Sequence, residues 1–437
     1  MEPKPNGIAL LPLVLFLALF IGVGSALTAA GVDFAFYQMS PTVAIMPAIA
    51  LAVILGGKAI SDNINTFLKG AGEINIITMC VIYLLAGGFA SVAKAVGGVD
   101  ATVNFGLSII PAEFVLPGLF LISAFIATSM GTAMGTVAAV GPMAVGVAGE
   151  TGIGVALLMG AVVGGAMFGD NLSMISDTTI AATRTQGCRM DDKFRMNFVI
   201  ALPAAIVAAV LYWSMGTAGQ TTAGDWEFIR VVPYLAIIIM ALLRVNVFVV
   251  LFAGIILAGC VGLFTMPEYT LLKWTQDIYG GFTGMHEILV LSMLMGGLGE
   301  LIRTQGGLAW ILAGIAKLTN SAKTGGSRRV GEAGIAMLAS LADICTANNT
   351  VAIILTGRMA KDLAETNGVD PRRSASILDI FSCVFQGIIP YGAQVLLAGS
   401  IAGISPIDIS MNNVYCYLLA IAGIASILIG KPSGLKK

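Results

Sequence analysis

The sequence predicts an all-α polytopic membrane protein, and three observations carry that prediction. Of its 437 residues, 57% are hydrophobic and only 11% charged, where a soluble domain carries about 25% charged residues. Mean hydropathy is +0.93. Apolar runs repeatedly reach the roughly 20 residues that a helix needs to cross a bilayer. These features exclude a disordered chain, a coiled coil, a small secreted module and an ordinary cytosolic enzyme. The alternation of apolar and polar residues that marks an outer-membrane barrel is missing. The 54 glycines suit close helix packing and broken helices in lipid.

In chain order, spans are expected at about 8–30, 42–57, 75–95, 155–181, 196–215, 229–243, 245–265, 286–302, 375–400 and 413–430. Two further apolar stretches, about 113–148 and 330–357, are too long for one crossing and are interrupted in the middle. The first span reads as a true helix, since it runs past the short apolar core of a signal peptide. Placing the N-terminus inside puts 20 of the 23 Lys and Arg on the cytoplasmic face, as the positive-inside rule requires. Lys58, Lys69, Arg184, Arg189, Lys193, Arg195, Arg372, Arg373 and Lys437 are among them; Lys94, Arg230 and Lys273 are the exceptions. Both termini are then cytoplasmic, and 1–437 is one transmembrane domain. Net charge is −1 with no basic stripe, so nucleic acid is not an expected partner. The six cysteines are scattered and read as small buried hydrophobes. With one histidine, His286, a zinc site is not expected.

The two halves, 1–215 and 228–430, resemble each other. Leu84–Gly88 with Gly97-Gly98 parallels Leu294–Gly297 with Gly306-Gly307 at an offset of 209. Thr128–Thr132 parallels Thr346–Thr350 at 218, and Glu150–Ile153 resembles Glu365–Val369. In the charge map the first half begins inside and the second outside. The expectation is two inverted repeats of about five spanning helices, an arrangement common in secondary transporters.

Polar groups are costly in hydrocarbon, so intramembrane ones are functional candidates. Thr128, Ser129 and Thr132 interrupt the first long stretch; Asp343, Thr346, Asn348, Asn349 and Thr350 interrupt the second. Hydroxyls, amides and glycines at that depth suit a re-entrant hairpin whose tip faces a cavity; two helices joined by a polar bend are the alternative. A third segment, Gly164–Thr179, puts Asp170, Asn171, Ser173, Ser176, Asp177 and Thr178 into a spanning run. A break at Gly169 would expose carbonyls beside Asp170, giving hard oxygen ligands for Na⁺ at Asp170, Asn171 and Asp177. The same carboxyl could instead carry a proton, and Asp177 could serve as a cap or pair with Arg184. The fourth segment, Phe385–Gln394, contains Gln386 and Gln394, with Gly387, Pro390 and Gly392 to break the helix. At an offset of 217 Asp170 falls opposite Gly387 and Asp177 opposite Gln394, so one charged site and one polar companion are expected. Glu300 and Asp379 are placed near cytoplasmic helix ends, and no Lys or Arg is read as deep in a helix where it would hold a dicarboxylate.

The run Gly160–Cys188, with its Gly-Asp-Asn-Leu-Ser-Met-Ile-Ser-Asp-Thr-Thr core, resembles the NhaC-type sodium/proton antiporters of bacterial inner membranes, within the ion transporter superfamily. The resemblance extends to Thr128–Gly135 and Thr346–Thr350. It implies two inverted repeats, each with a re-entrant hairpin and a broken helix, a homodimer, and an elevator-like motion. Carried onto this chain, it lines one broken helix with Asp170, Asn171, Ser173, Ser176, Asp177 and Thr178. Ser129 and Thr132 fall at one tip, Asn348, Asn349 and Thr350 at the other. Proteins with this signature also include malate–lactate exchangers and amino-acid carriers. Two functions follow: a sodium/proton antiporter using Asp170 with Asp177 or Asp343, or a sodium-coupled carrier of an amino or hydroxy acid read by Thr132, Asn348, Asn349, Gln386 and Gln394. Na⁺ and H⁺ are the transported or coupling ions, and no cofactor is expected. An intramembrane aspartyl protease is disfavoured because Met-Phe-Gly-Asp lacks the first glycine of G-x-G-D. A serine protease lacks a partner histidine. A channel could also use backbone carbonyls, but the inverted charge map argues against it.

Overall fold

A computed structural model describes residues 4–30, 38–57, 59–109, 111–216, 224–243, 245–321 and 327–432. Lys58 and Lys437, counted above for orientation, lie outside them. The described residues form helices and connecting turns, with no strand among them. Among the described residues, six helices are long and apolar enough to cross a membrane, and two more pass as bent pairs. Large apolar side chains such as Ile206, Val210, Phe252 and Phe264 lie exposed on the outside of the bundle, as lipid-facing positions should. The chain is an all-α polytopic membrane protein.

The helices that build the site are, in order, α1 (Ile60–Ala71), α2 (Ile74–Ala95), α3 (Val115–Met130), α4 (Ala133–Thr151), α5 (Val155–Leu172), α6 (Asp177–Gln186) and α7 (Met190–Met215). The second half supplies α8 (Leu271–Gly284), α9 (His286–Thr304), α10 (Arg328–Thr346), α11 (Asn349–Asn367), α12 (Pro371–Ile388), α13 (Ala393–Ala402) and α14 (Val414–Ile429). The short helices α1 and α8 were not among the expected spans. In α1, Asp62 in the first turn and Lys69 in the last complement the helix dipole.

Helix boundaries recur at constant spacing. α4 and α11, α5 and α12, and α6 and α13 each begin and end 216 residues apart. α2 and α9 end 209 apart, and left-handed glycines follow at Gly97 and Gly306. The offset of 209 read from the sequence therefore holds, while the local offsets of 218 and 217 both become 216. Small residues alone could not register the match: Thr128 resembles Thr346 in type, but the bend places Gly131 opposite Ala347.

Packing is reciprocal as well. α1 packs on α9, and α8 packs on α2; α6 packs on α11, and α13 packs on α4. α2 and α9 run antiparallel, with Met285 against Gly87 and Ile76 against Gly296. Near their crossing, the Tyr83 hydroxyl lies 3.3 Å from Ser292 Oγ, its counterpart at offset 209. Glycine makes these crossings possible. A Cβ on Gly281 would sit 2.2 Å from the Gly87 carbonyl oxygen, well inside any real contact.

The substitution Gly281→Leu should therefore force α8 off α2 at a cost of about 1–3 kcal/mol, the usual range for overpacking. A lowered thermal midpoint of the detergent-solubilised protein checks this. Gly149→Ala, where a Cβ meets nothing within 4 Å, should leave the midpoint unchanged.

Candidate functional site

Both long apolar stretches turn back at a tight bend. At the first, Gly131 takes a left-handed conformation (φ 69°) and Thr132 Oγ1 accepts from the Gly135 amide at 3.3 Å, capping α4. At the second, Ala347 is left-handed (φ 52°), and Asn348 Oδ1 accepts from the Val351 amide at 3.0 Å, capping α11. Ala347 is the only non-glycine with positive φ among the described residues. That conformation costs roughly 1–2 kcal/mol for an L-residue, and Gln386 Nε2 holds it by donating to the Ala347 carbonyl at 3.2 Å. At the first bend Ile175 occupies the space a side chain on Gly131 would need.

The two central helices are interrupted. Between α5 and α6, Ser173 and Ser176 are extended (ψ 137° and 150°). Between α12 and α13, Ile389 and Gly392 are extended (ψ 127° and 142°). Each interruption strands carbonyls that the helix would have bonded, and each finds the same remedy. Asn197 Nδ2 donates to the Asn171 carbonyl at 2.9 Å, and Asn413 Nδ2 donates to the Gly387 carbonyl at 2.9 Å. Thr179 Oγ1 donates to the Ser173 carbonyl at 2.7 Å, and Ser176 Oγ accepts from the Thr179 amide at 3.2 Å. Neither asparagine was singled out in the sequence. The signal was available, because Asn197 and Asn413 are separated by the same 216 residues as the breaks they serve.

The tips and breaks enclose a small cavity of about 90 Å³. A water needs roughly 10–15 Å³ on this measure, so the space suits a partly hydrated ion or a small solute. It brings together Asp170, Asp177, Thr178, Thr132, Asn348, Asn349, Thr350 and Gln394 from the predicted set. Asp170 is 4% exposed. Its Oδ2 accepts from Thr178 Oγ1 at 3.1 Å and faces Cys383 Sγ at 3.4 Å. Asp177, by contrast, is exposed. The counterpart of the Asp170–Thr178 bond, 216 residues on, is Gln386 Nε2 donating to Gln394 Oε1 at 2.8 Å. Asp170 thus pairs with Gln386 rather than Gly387, and Thr178 rather than Asp177 pairs with Gln394. The first turns of α4, α6, α11 and α13 all border the cavity, and their dipoles favour negative charge there.

The other predicted residues lie elsewhere. Asn171 turns its amide into its own helix, donating to the Met167 carbonyl at 2.9 Å. Ser173 and Ser176 support the break. Thr128 and Thr346 donate to Ala124 and Ala342 one turn back; Ser129 is partly buried beside Thr128. Gln386 stands behind Gln394. Asp343 is fully buried one turn before the second tip, and neither carboxylate oxygen has a hydrogen-bond partner. One wall of the cavity went unread: Asn75, Thr78, Met79 and Ile82 of α2, with Met79 Sδ 3.8 Å from Asn348 Nδ2.

Lys193 and Asp379 require a correction. Lys193 was counted in a basic cluster on the cytoplasmic side and Asp379 placed near the cytoplasmic end of its helix, and no deep cation that could hold a dicarboxylate was expected. Their side chains are fully buried and paired, Nζ to Oδ2, at 2.8 Å. Lys193 Nζ also donates to the Asn171 carbonyl at 2.9 Å and Thr179 Oγ1 at 2.7 Å, and Asn197 Nδ2 donates to Asp379 Oδ2 at 2.7 Å. The long stem reaches from the first turn of α7 to the broken end of α5, where helix carbonyls present partial negative charge. Sequence position on a basic, loop-like segment hid this reach.

A model of the Na⁺/H⁺ antiporter family matches residues 6–217. The chain is 25% identical to the Na⁺/H⁺ antiporter NhaC of Bacillus subtilis over 89% of this chain and 90% of that protein. The chain is similar to the NhaC-type sodium/proton antiporters over most of its length. It is also 24% identical to the malate-2H⁺/Na⁺-lactate antiporter of Bacillus subtilis, over 81% of this chain and 82% of that protein. Among solved structures it is similar to the YdaH transporter of Alcanivorax borkumensis, with 15% identity, a TM-score of 0.44 and coverage of 98% of this chain and 100% of that one. A second NhaC, that of Alkalihalophilus pseudofirmus, is 25% identical over 75% of this chain and 76% of that protein.

Neutralising only one member of the buried pair, as in Lys193→Met, should cost about 3–5 kcal/mol by leaving a charge alone. The double variant Lys193→Met with Asp379→Leu should recover most of that loss. Thermal midpoints of the single and double variants in detergent check it.

Proposed function

We propose that this chain exchanges Na⁺ for protons across a bacterial inner membrane by alternating access, with Asp170 as the group that holds either ion. The observation that carries the reading is the setting of Asp170: a carboxylate at a helix break, 4% exposed, bordering a small polar cavity. A bare carboxylate in such a place is expensive and calls for a cation or a proton as partner. Thr178 Oγ1 and the hydroxyl and amide oxygens of Thr132, Thr350 and Asn348 along the cavity supply further hard oxygens for Na⁺. The four helix N-termini offset part of the cost of keeping Asp170 and Asp177 charged between ions. Asp343, buried without a partner, is a second place for a proton.

The constant offsets, reciprocal packing and antiparallel α2 and α9 support a reading of the two halves as inverted repeats. On this reading α3–α4 and α10–α11 are the re-entrant hairpins, and α5–α6 and α12–α13 the broken helices. An elevator-like movement within a homodimer, with both termini cytoplasmic, completes the proposal; the family resemblance is its support. A second reading has its own observation. Asn348, Asn349 and Gln394 place amides around the cavity, more than a cation needs, and one relative is a malate–lactate antiporter. In that case the helix N-termini would face a carboxylate of a hydroxy or amino acid, and Na⁺ would be the coupling ion.

Purified protein in proteoliposomes should take up ²²Na⁺ when a pH gradient alone is imposed, and Asp170→Asn should reduce uptake to background. Uptake that appears only when a hydroxy or amino acid is supplied would replace the first reading with the second. Gradient-driven uptake that survives in Asp170→Asn would remove Asp170 from its role.

A further inference from the structure

A second cavity, about 290 Å³, lies between α9 and the far end of α13. Its lining includes Gly284, Glu287, Ile288 and Leu291. At the offset of 209 that relates α2 to α9, these four residues are the counterparts of Asn75, Thr78, Met79 and Ile82. Those are the residues of α2 that wall the first cavity. The two strips lie at the starts of the antiparallel helices α2 and α9, Gly284 just before α9 and the other three in its first turns, so they stand near opposite membrane faces.

The remaining wall of the first cavity is nearly two-fold in itself. Gly131–Met134 faces it from one tip and Asn348–Thr350 from the other, and Thr178 and Gln394 are mutual counterparts at offset 216. A site with two-fold walls on one side therefore meets only one of two equivalent strips on the other. The unmatched strip borders the second cavity. Between them stands Tyr83, fully buried, its hydroxyl 3.3 Å from Ser292 Oγ and 3.4 Å from the Ala393 carbonyl at the start of α13. α13 touches both cavities, with Gln394 in the first and Leu396, Gly399 and Ser400 in the second.

We infer that the cavity beside Gly284, Glu287, Ile288 and Leu291 is the second station of the transport path, where the same two tips face the opposite side of the membrane. The inference rests on the alternating-access reading above and adds the residues of the other station. It also yields a specific contact. Here Asn348 meets Met79. Exchange of the halves turns that contact into Thr132 against Ile288, because Thr132 is the counterpart of Asn348 and Ile288 that of Met79. The second station differs in charge, since Glu287 stands where the first has Thr78. Glu287 is exposed and accepts a hydrogen bond from Ser40 Oγ, so this mouth presents a carboxylate to incoming cations.

The test uses paired cysteines in full-length protein in native-lipid vesicles, a short bis-maleimide, and mass spectrometry of the linked peptides, so the native cysteines can stay. Met79→Cys with Asn348→Cys should link readily. Thr132→Cys with Ile288→Cys should also link, in a fraction that changes when Na⁺ is added or a pH gradient is imposed. If that pair misfolds, Thr132→Cys with Leu291→Cys takes its place. Linking of the Met79–Asn348 pair under every condition, with no linking of Thr132 to Ile288 or Leu291, would overturn the inference. The readout is proximity rather than flux, so absence of Na⁺/H⁺ exchange in liposomes would refute the assigned ions and leave this result standing on its own.

Discussion

A helix interrupted inside an apolar slab leaves backbone carbonyls and amides that neither water nor lipid can satisfy, and each stranded group costs several kcal/mol. That constraint organises the structure. α5 and α12 are both broken near the middle of the bundle, and the partners of their loose ends come from the helices that follow. Asn197 serves one end and Asn413 the other, at equal distances of 2.9 Å. Once these groups are satisfied, the breaks are stable, and they can hold side chains at a depth where an intact helix would offer no free polar surface. Asp170 and Thr178 on one side, Gln386 and Gln394 on the other, occupy those places.

The frame is two-fold, but the charge is not. Asp170 and its counterpart Gln386 share a position and differ in ionisation. The buried pair of Lys193 and Asp379 has Ile409 and Val163 as its counterparts at the same offset, so the first half supplies the cation, the second the anion, and neither is repeated. Lys193 lies behind the break, on the carbonyl end of α5, while Asp170 faces the cavity from the same stretch. A paired cation behind, whose counterion Asp379 is buried with it, and an unpaired carboxylate in front make the site asymmetric in charge where the frame is two-fold. The helix N-termini around the cavity act in the same sense, favouring negative charge at Asp170 and Asp177.

Much of this was legible in the sequence. Hydropathy marked the membrane class, and the polar interruptions marked both tips and both breaks. The match of Gly87-Gly88 with Gly296-Gly297 gave a register that the antiparallel crossing of α2 and α9 bears out. What escaped has physical reasons. A lysine on a segment rich in charge reads as a surface residue, because sequence alone does not reveal that its long side chain turns inward to a helix end. Asn197 sits within α7 and Asn413 caps α14 at a bend, and their role appears only when the breaks they serve are in place. Asn75 and Thr78 lie on the wall opposite the signature run, which no local motif connects to it. Asn171 was read as a ligand from its place beside Asp170, yet a helix turns adjacent residues about 100° apart, and its amide faces its own backbone. The substrate residues were least legible, since Thr128 and Thr346 resemble tip ligands in type and instead donate to carbonyls of their own helices.

The central claim is that one carboxyl, Asp170, holds Na⁺ and a proton in turn. Proton release on Na⁺ addition tests it most directly, with purified protein in weakly buffered detergent solution and a pH indicator as readout. The account predicts that NaCl, but not choline chloride, releases about one proton per chain when Asp170 starts protonated, and that Asp170→Asn releases none. Saturable Na⁺ binding with no proton release in the wild type, or equal release in Asp170→Asn, would contradict it.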